Sequence, residues 1–338
     1  MKIKTIIFSR DRAMQVDAVL RSFFLHCQDA AETAQVHVIY KATSARHAAQ
    51  YEQLAHDYPL VNFVRQSNFR ADTLRLLDPY PANHLLYRLM GFLGALGFRV
   101  GTRPDRFLRR FADVSRHRLI RALLPHIAFP RGILFLVDDN LFVQDFSLQP
   151  VLSTLAEHGD VLGFSLRLGR NTTYCYSADQ PQPTPPFFAP ASGLLKFNWL
   201  KAGYDFGYPL EVSSSVYLDV VIAPFLVSVP FGNPNELESA MASRTNVFRK
   251  SHPALLCFEQ SVTFCNPVNL VQSFHPNRAG EQYPYGVDDL LESFERGERI
   301  DVQAYSGFAP NACHQEVPLH FFKQLQYPSS VNEYSSSY

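Results

Sequence analysis

The chain has 338 residues, 46% of them hydrophobic and 18% charged, and its 31 basic and 31 acidic side chains cancel. That is the composition of a globular protein long enough to bury a full core. A net charge of zero excludes a global pull towards nucleic acid, and no apolar run approaches the roughly 20 residues of a membrane span. Five cysteines (Cys27, Cys175, Cys257, Cys265, Cys313) are odd in number and lack CxxC or Cys/His zinc spacing. They predict reduced thiols in a cytoplasmic protein. Met1 runs straight into a strand pattern, without the layout of a signal peptide. The 23 prolines point to long ordered loops.

Ile3 to Phe8 reads as a first strand, followed by a helix from about Met14 to His26 with Val16, Leu20, Phe23 and Phe24 on one face. Ser9 and Asp11 are candidate caps. Arg10 and Arg12 at the helix start make either a seat for a phosphate or nucleotide or an exposed basic turn. Val36 to Tyr40 is a second strand, Ser44 to His56 a helix and Val61 to Val64 a third strand. This alternation is a nucleotide-binding half of a doubly wound sheet. A GxGxxG after the first strand is missing, which counts against a dinucleotide cofactor.

Residues 84–128 carry nine arginines and only two acids, Asp105 and Asp113, with apolar residues interleaved at helical spacing. Two helices joined near Gly101-Thr102-Arg103-Pro104 are expected. Two roles fit them: a basic amphipathic segment resting on an anionic membrane surface, or an insertion packed on the sheet with a solvated basic face.

Ile133 to Val137 is five apolar residues in a row, a strand buried on both faces, and it ends in Asp138-Asp139-Asn140. Delivered to the carboxyl edge of a sheet, such oxygen ligands suit Mg²⁺ or Mn²⁺ bridging to phosphates. The competing account is a plain strand-to-turn stop, since Asp and Asn are turn residues. A helix from about Leu148 to His158 follows, then a strand from Val161 running into Arg167-Leu168-Gly169-Arg170. Residues 171–190 show no periodicity, which marks a functional or disordered loop; their tyrosines and amides suit sugar recognition. Leu194 to Trp199 and Val216 to Val221 are each a short strand or helix start, and Phe225 to Phe231 reads as a strand. Asn233 or Asn235 then caps a helix with Glu236 and Glu238 in its first turn, where the helix dipole favours acids. A last helix is expected from about Val287 to Arg296, and the Ser-rich end frays.

Together these segments resemble the GT-A class of nucleotide-sugar-dependent glycosyltransferases, and among them bacterial polysaccharide glycosyltransferases. The resemblance covers most of the chain. It rests on Phe8-Ser9-Arg10-Asp11-Arg12, Phe135-Leu136-Val137-Asp138-Asp139-Asn140, Ser165-Leu166-Arg167-Leu168-Gly169, Asn233-Pro234-Asn235-Glu236-Leu237-Glu238 and His314-Gln315-Glu316. The acidic triplet looks like the DxD-type motif of that class, with Asn140 in the third position. The segment 84–128 is not part of the common core.

The resemblance implies an α/β fold with a GT-A-like, Rossmann-type mixed sheet flanked by helices. It implies one catalytic domain over 1–328, with a nucleotide-sugar half at about 1–145, an acceptor half at about 146–328 and a polar tail at 329–338. The donor's nucleotide would lie near Ser9, Arg10 and Arg12, and its diphosphate near Asp138 and Asp139. Mn²⁺ or Mg²⁺ would be held by Asp138, Asp139 and Asn140, with His314 as a further contact. Glu238, ahead of Glu236, would be the base of an inverting transfer. Arg167, Asn171, Tyr174, Trp199 and Asp205 would meet a polysaccharide or lipid-linked glycan acceptor, at the inner face of the membrane. Two other classes fit the acidic cluster: a Mg²⁺-dependent nucleotidyl- or phosphotransferase, which lacks a Gly-rich phosphate loop here, and a non-catalytic carbohydrate- or nucleotide-binding protein.

Overall fold

The computed structural model describes residues 2–77, 132–271 and 278–323. The basic segment 84–128 and the tail 329–338 lie outside the described residues. Strand β1 (Ile3–Arg10) leads through helix α1 (Ala13–His26) and a single turn, α2 (Ala30–Thr33), to β2 (Ala34–Lys41). Helix α3 (Ala45–Asp57), strand β3 (Asn62–Arg65) and helix α4 (Phe69–Leu77) follow. Ser44 caps α3 by accepting the His47 N–H. Strand β4 (Gly132–Val137) turns tightly into β5 (Asn140–Phe142), and α5 (Leu148–Glu157) leads to β6 (Val161–Ser165).

The 171–190 loop is more ordered than its sequence suggests. It forms a small ribbon, β7 (Tyr174–Cys175) with β8 (Gln180–Pro181), then β9 (Phe188–Ala191), which pairs with β10 (Leu194–Asn198). Strand β11 (Ser215–Leu218) runs directly into helix α6 (Asp219–Ser228), and α7 (Pro234–Ala242) precedes β12 (Ala254–Phe258) and β13 (Thr263–Cys265). Helix α8 (Val287–Glu295) and a ribbon of β14 (Glu298–Ile300) with β15 (Phe321–Lys323) complete the described chain.

Among the described residues nine strands form one mixed sheet in the order β3-β2-β1-β4-β11-β6-β12-β10-β9. The first four are parallel; β11 runs against both β4 and β6, and β12 is parallel to β6. This is the expected α/β architecture, a large mixed sheet flanked by helices, consistent with a Rossmann-like GT-A fold. Alternate residues of each strand feed two apolar layers. Ile3, Ile7, Leu134 and Leu136 pack under α1, α3, α5 and α8. Ile6, Phe8, Ile133 and Phe135 pack under α4, α6 and α7. Burial on both faces explains the unbroken apolar run of β4.

Two expectations are corrected here. Phe225 to Phe231 is not a strand: its first part belongs to α6, which contains Pro224. That helix is apolar on all sides and buried, and periodicity does not separate such a helix from a buried strand. Nor do Ser9 and Asp11 cap α1. Arg12 occupies the N-cap without a side-chain cap bond, Asp11 takes a left-handed φ of 55°, and its carboxylate accepts the Thr43 N–H and hydroxyl at 2.7 and 3.0 Å.

Candidate active site

The register of β1 on β4 pairs Phe8 with Val137, so Ser9 lies beside Asp138 at the carboxyl edge. Asp138 is buried and fully engaged. One oxygen accepts the Ser9 hydroxyl at 2.9 Å and the Arg10 N–H at 3.2 Å; the other accepts Arg12 Nη1 at 2.9 Å. Arg12 is itself buried and also donates to the Asn269 carbonyl. The Tyr51 hydroxyl closes the group, 2.5 Å from Ser9 Oγ and accepting the Arg12 N–H at 3.0 Å. The phosphate seat expected of Arg12 is therefore taken by Asp138. Arg10, half exposed beside Asp11, is the cation of this turn that faces solvent.

Asn140 is also committed. Its side-chain oxygen accepts the Val137 N–H at 2.9 Å and its amide donates to Cys265 Sγ at 3.4 Å, which locks the β4–β5 turn onto β13. Asp139 differs from both neighbours: Oδ1 is buried without a hydrogen-bond partner. Burial pushes its carboxyl up to about 6; Arg12 opposes this, Asp138 adds to it, and the Cys265 thiol also opposes it. His314 is bridged to Cys265. Burial, helped by the Arg167 cation, lowers its ring to about 3, so it is a neutral imidazole at neutral pH.

A second cluster lies beyond β6 and before β11. Arg167 and Glu211 are both buried, with Arg167 Nε 4.0 Å from Glu211 Oε1. Glu238, in the first half of α7, lies in the field of this pair, and the Tyr208 side chain and the Val212 backbone favour its charged form. Burial and then the Glu211 charge raise its carboxyl, against Arg167. Glu236 points away. It accepts the Gly232 N–H at 2.7 Å and Asn233 Nδ2 at 2.8 Å, while Asn233 accepts the Glu236 N–H at 2.9 Å. Glu236 therefore serves the helix cap.

Of the acceptor candidates, Arg167 and Asp205 belong to the polar centre, since the Asp205 charge acts on Arg167. Asp205 also holds Gln182 through its N–H and carboxylate. Asn171 is a clasp between loops, bonded to Ser261 and to the Pro310 carbonyl at 2.6–2.9 Å. A Cβ on Gly169 would come within 2.5 Å of that clasp, which explains the glycine. Tyr174 donates to Asp179 at the surface. Trp199 is buried in the apolar layer under α6 and donates to the His252 carbonyl at 2.8 Å. Glu211 and Tyr208 are the site residues not expected from sequence. A signal for Glu211 exists in Glu211-Val212-Ser213-Ser214: an acid followed by serines whose N–H groups can wrap back onto it.

Among the described residues no three His, Cys, Asp or Glu side chains converge as a preformed metal cage. What remains is the unpartnered Asp139 oxygen and the neutral His314. The Asp139 oxygen fits a hard divalent cation that keeps waters and draws further ligands from phosphate oxygens. It does not fit a closed structural metal site.

No protein-family model matches the chain. It is similar to the bifunctional glycosyltransferase pgtA of Dictyostelium discoideum. Identity is 24% over 330 residues, which cover 90% of this chain and 36% of that protein. The chain thus spans little more than a third of that relative's length. Among the described residues no helix is long and apolar enough to cross a membrane.

Proposed function

We propose that the chain is a metal-dependent, inverting glycosyltransferase that moves a sugar from a nucleotide-sugar donor to a hydroxyl of a polysaccharide or lipid-linked glycan. The observation that carries this is a division among four carboxylates at one sheet edge. Asp138 and Glu211 each face a buried arginine, while Asp139 and Glu238 have none of their own and burial raises the proton affinity of both.

In this scheme Asp139 and His314 would hold Mn²⁺ or Mg²⁺, and Arg10 is the nearby solvent-facing cation for phosphate. The bound ion would offset the negative charge that develops on the leaving diphosphate. Glu238 takes the proton of the acceptor hydroxyl as its oxygen bonds to the anomeric carbon. The bond from that carbon to the donor phosphate breaks, and its electron pair leaves with the diphosphate. A base works best with a proton affinity near the working pH. The N-terminal turn of α7 lowers that affinity, and burial together with Glu211 outweighs it. Arg167, whose charge acts on Glu238 and on which Asp205 acts in turn, would meet the acceptor together with Asp205.

Thermal melting against nucleoside diphosphates and nucleotide sugars, with and without Mn²⁺, tests the proposal. A ligand at a hundredfold excess over its Kd stabilises by about 2.7 kcal/mol. We expect a shift with one nucleotide series that needs Mn²⁺ and is lost in Asp139→Ala. No shift with any of them in folded protein would overturn it. The basic segment 84–128 is proposed to rest on anionic membrane; co-sedimentation with anionic vesicles that persists at high salt, or never occurs, would exclude this.

A further inference from the structure

Helix α7 ends at Ala242, and the chain reaches β12 at Ala254 through a run of tight turns. The Val247 N–H donates to the Arg244 carbonyl at 3.1 Å, Phe248 to Thr245 at 2.9 Å and Arg249 to Asn246 at 3.4 Å. Turns of this three-residue kind stack side chains three apart on one face. Arg244, Val247 and Lys250 have that spacing and are exposed, with Asn246 and Arg249 exposed beside them. Phe248 turns inward. Its ring packs on Phe225 of α6 and on His252, at centroid distances of 5.8 and 5.9 Å. The His252 carbonyl in turn accepts the Trp199 indole N–H at 2.8 Å. The outward side chains therefore stand on an anchored ledge.

Its charge is one-sided. No Asp or Glu occurs between Glu238 and Glu259, while Arg244, Arg249 and Lys250 fall within seven residues. Among the described residues none of these three cations has a carboxylate partner, although exposed arginines elsewhere do. Arg46 pairs with Glu295 at 2.6 Å, Arg75 with Asp72 at 3.1 Å and Arg296 with Glu298 at 3.0 Å. Like charges closer than a screening length of about 8 Å repel, and no local acid offsets that here. Val247, 60% exposed, stands among them. Cations around an apolar side chain complement a layer of phosphate headgroups over hydrocarbon. A soluble polyanion would meet the charges and leave Val247 in water.

We infer that residues 244–250 seat the chain on anionic phospholipid, and that the acceptor is accordingly a glycan linked to lipid. The contact is separate from the one proposed for 84–128. Its second part rests on Glu238 being the base. Glu238 and Arg244 are six residues apart along α7 and its end, roughly 9 Å at a rise of about 1.5 Å per residue. A chain seated on this ledge keeps Glu238 near headgroup level, where the first sugars of a lipid-linked glycan stand. A polysaccharide free in solution needs no such seat.

The five cysteines are buried, so Val247→Cys offers one site for an NBD label in the full chain. Vesicles of equal parts phosphatidylcholine and phosphatidylglycerol should shift its emission to the blue; phosphatidylcholine alone, or heparin, should not. A triple variant, Arg244→Gln with Arg249→Gln and Lys250→Gln, should bind the anionic vesicles roughly a hundredfold less tightly, about fivefold for each cation removed. Vesicle binding with the label still in water would put the contact elsewhere and overturn the seat. So would a triple variant that binds like the parent, or no binding at all. A shift with heparin alone would assign the ledge to a soluble polyanion. Should the triple variant fold poorly, the label decides alone. For the acceptor, the triple variant should raise KM for a lipid-linked glycan in vesicles and leave kcat unchanged; an unchanged KM would overturn that part. Transfer that survives Glu238→Gln sinks the base, whereas the seat is read from vesicle binding without any substrate.

Discussion

Arg12 Nη1 lies 2.9 Å from Asp138 Oδ1, and both side chains are buried. The first carboxylate of the acidic triplet is thus part of the scaffold that joins β1, α1 and β4, and the second keeps a buried oxygen without a hydrogen-bond partner. Removing one member of a buried pair strands the other charge and costs about 3–5 kcal/mol. Arg12→Ala should lower stability by that amount in urea unfolding. Arg12→Met with Asp138→Leu should recover a large part of it, because no buried charge is then left unpaired.

Asp139 gives a pH signature with a definite sign. Its carboxyl is raised to about 6 in the folded chain, against about 3.9 unfolded. Its contribution to stability is therefore full below about pH 4 and is lost as pH rises through about 6, at most about 3 kcal/mol in all. Melting temperatures in chelator should show Asp139→Asn with a flatter profile between those values and greater stability than the parent at pH 7. Mn²⁺ with the right nucleotide should stabilise the parent and not the variant.

Glu236 and Glu238 are two residues apart and should behave oppositely. Glu236→Ala loses a cap and should cost about 0.5–2 kcal/mol of stability while leaving transfer intact. Glu238→Gln should keep the fold and lower kcat by roughly 10²–10⁴. Transfer and unfolding measured on both variants check this.

Asn140 bonds Val137 and Cys265 across the β4–β5 turn. Asn140→Ala should therefore destabilise by about 1–3 kcal/mol, since the Val137 N–H loses its acceptor. The Mn²⁺ concentration that half-saturates the melting shift should not change. A weaker metal response in a variant with normal stability would return Asn140 to the metal.

Much of the fold was legible because its signals are local. The alternation in β1, β2 and β3 and the stripes on α1 and α3 name their own elements, and Asn233 announces the start of α7. The 219–228 stretch was not legible as helix, because a segment buried on every side has no polar face to mark its period. The carboxyl edge was also legible, since an apolar run ending in acids has few other places to go.

The sequence by itself determined the kind of sheet, the place where acids gather on it and the absence of any pull from net charge. Only the tertiary structure decided which acid is paired and which is not. Arg12 lies 126 residues from Asp138, and Glu211, just before β11, meets Arg167, just after β6. Strand order and register choose those partners, and a buried carboxylate's proton affinity depends on which cation arrives beside it. Adjacent aspartates such as Asp138 and Asp139 read alike in sequence and become unlike once one is paired and the other is not.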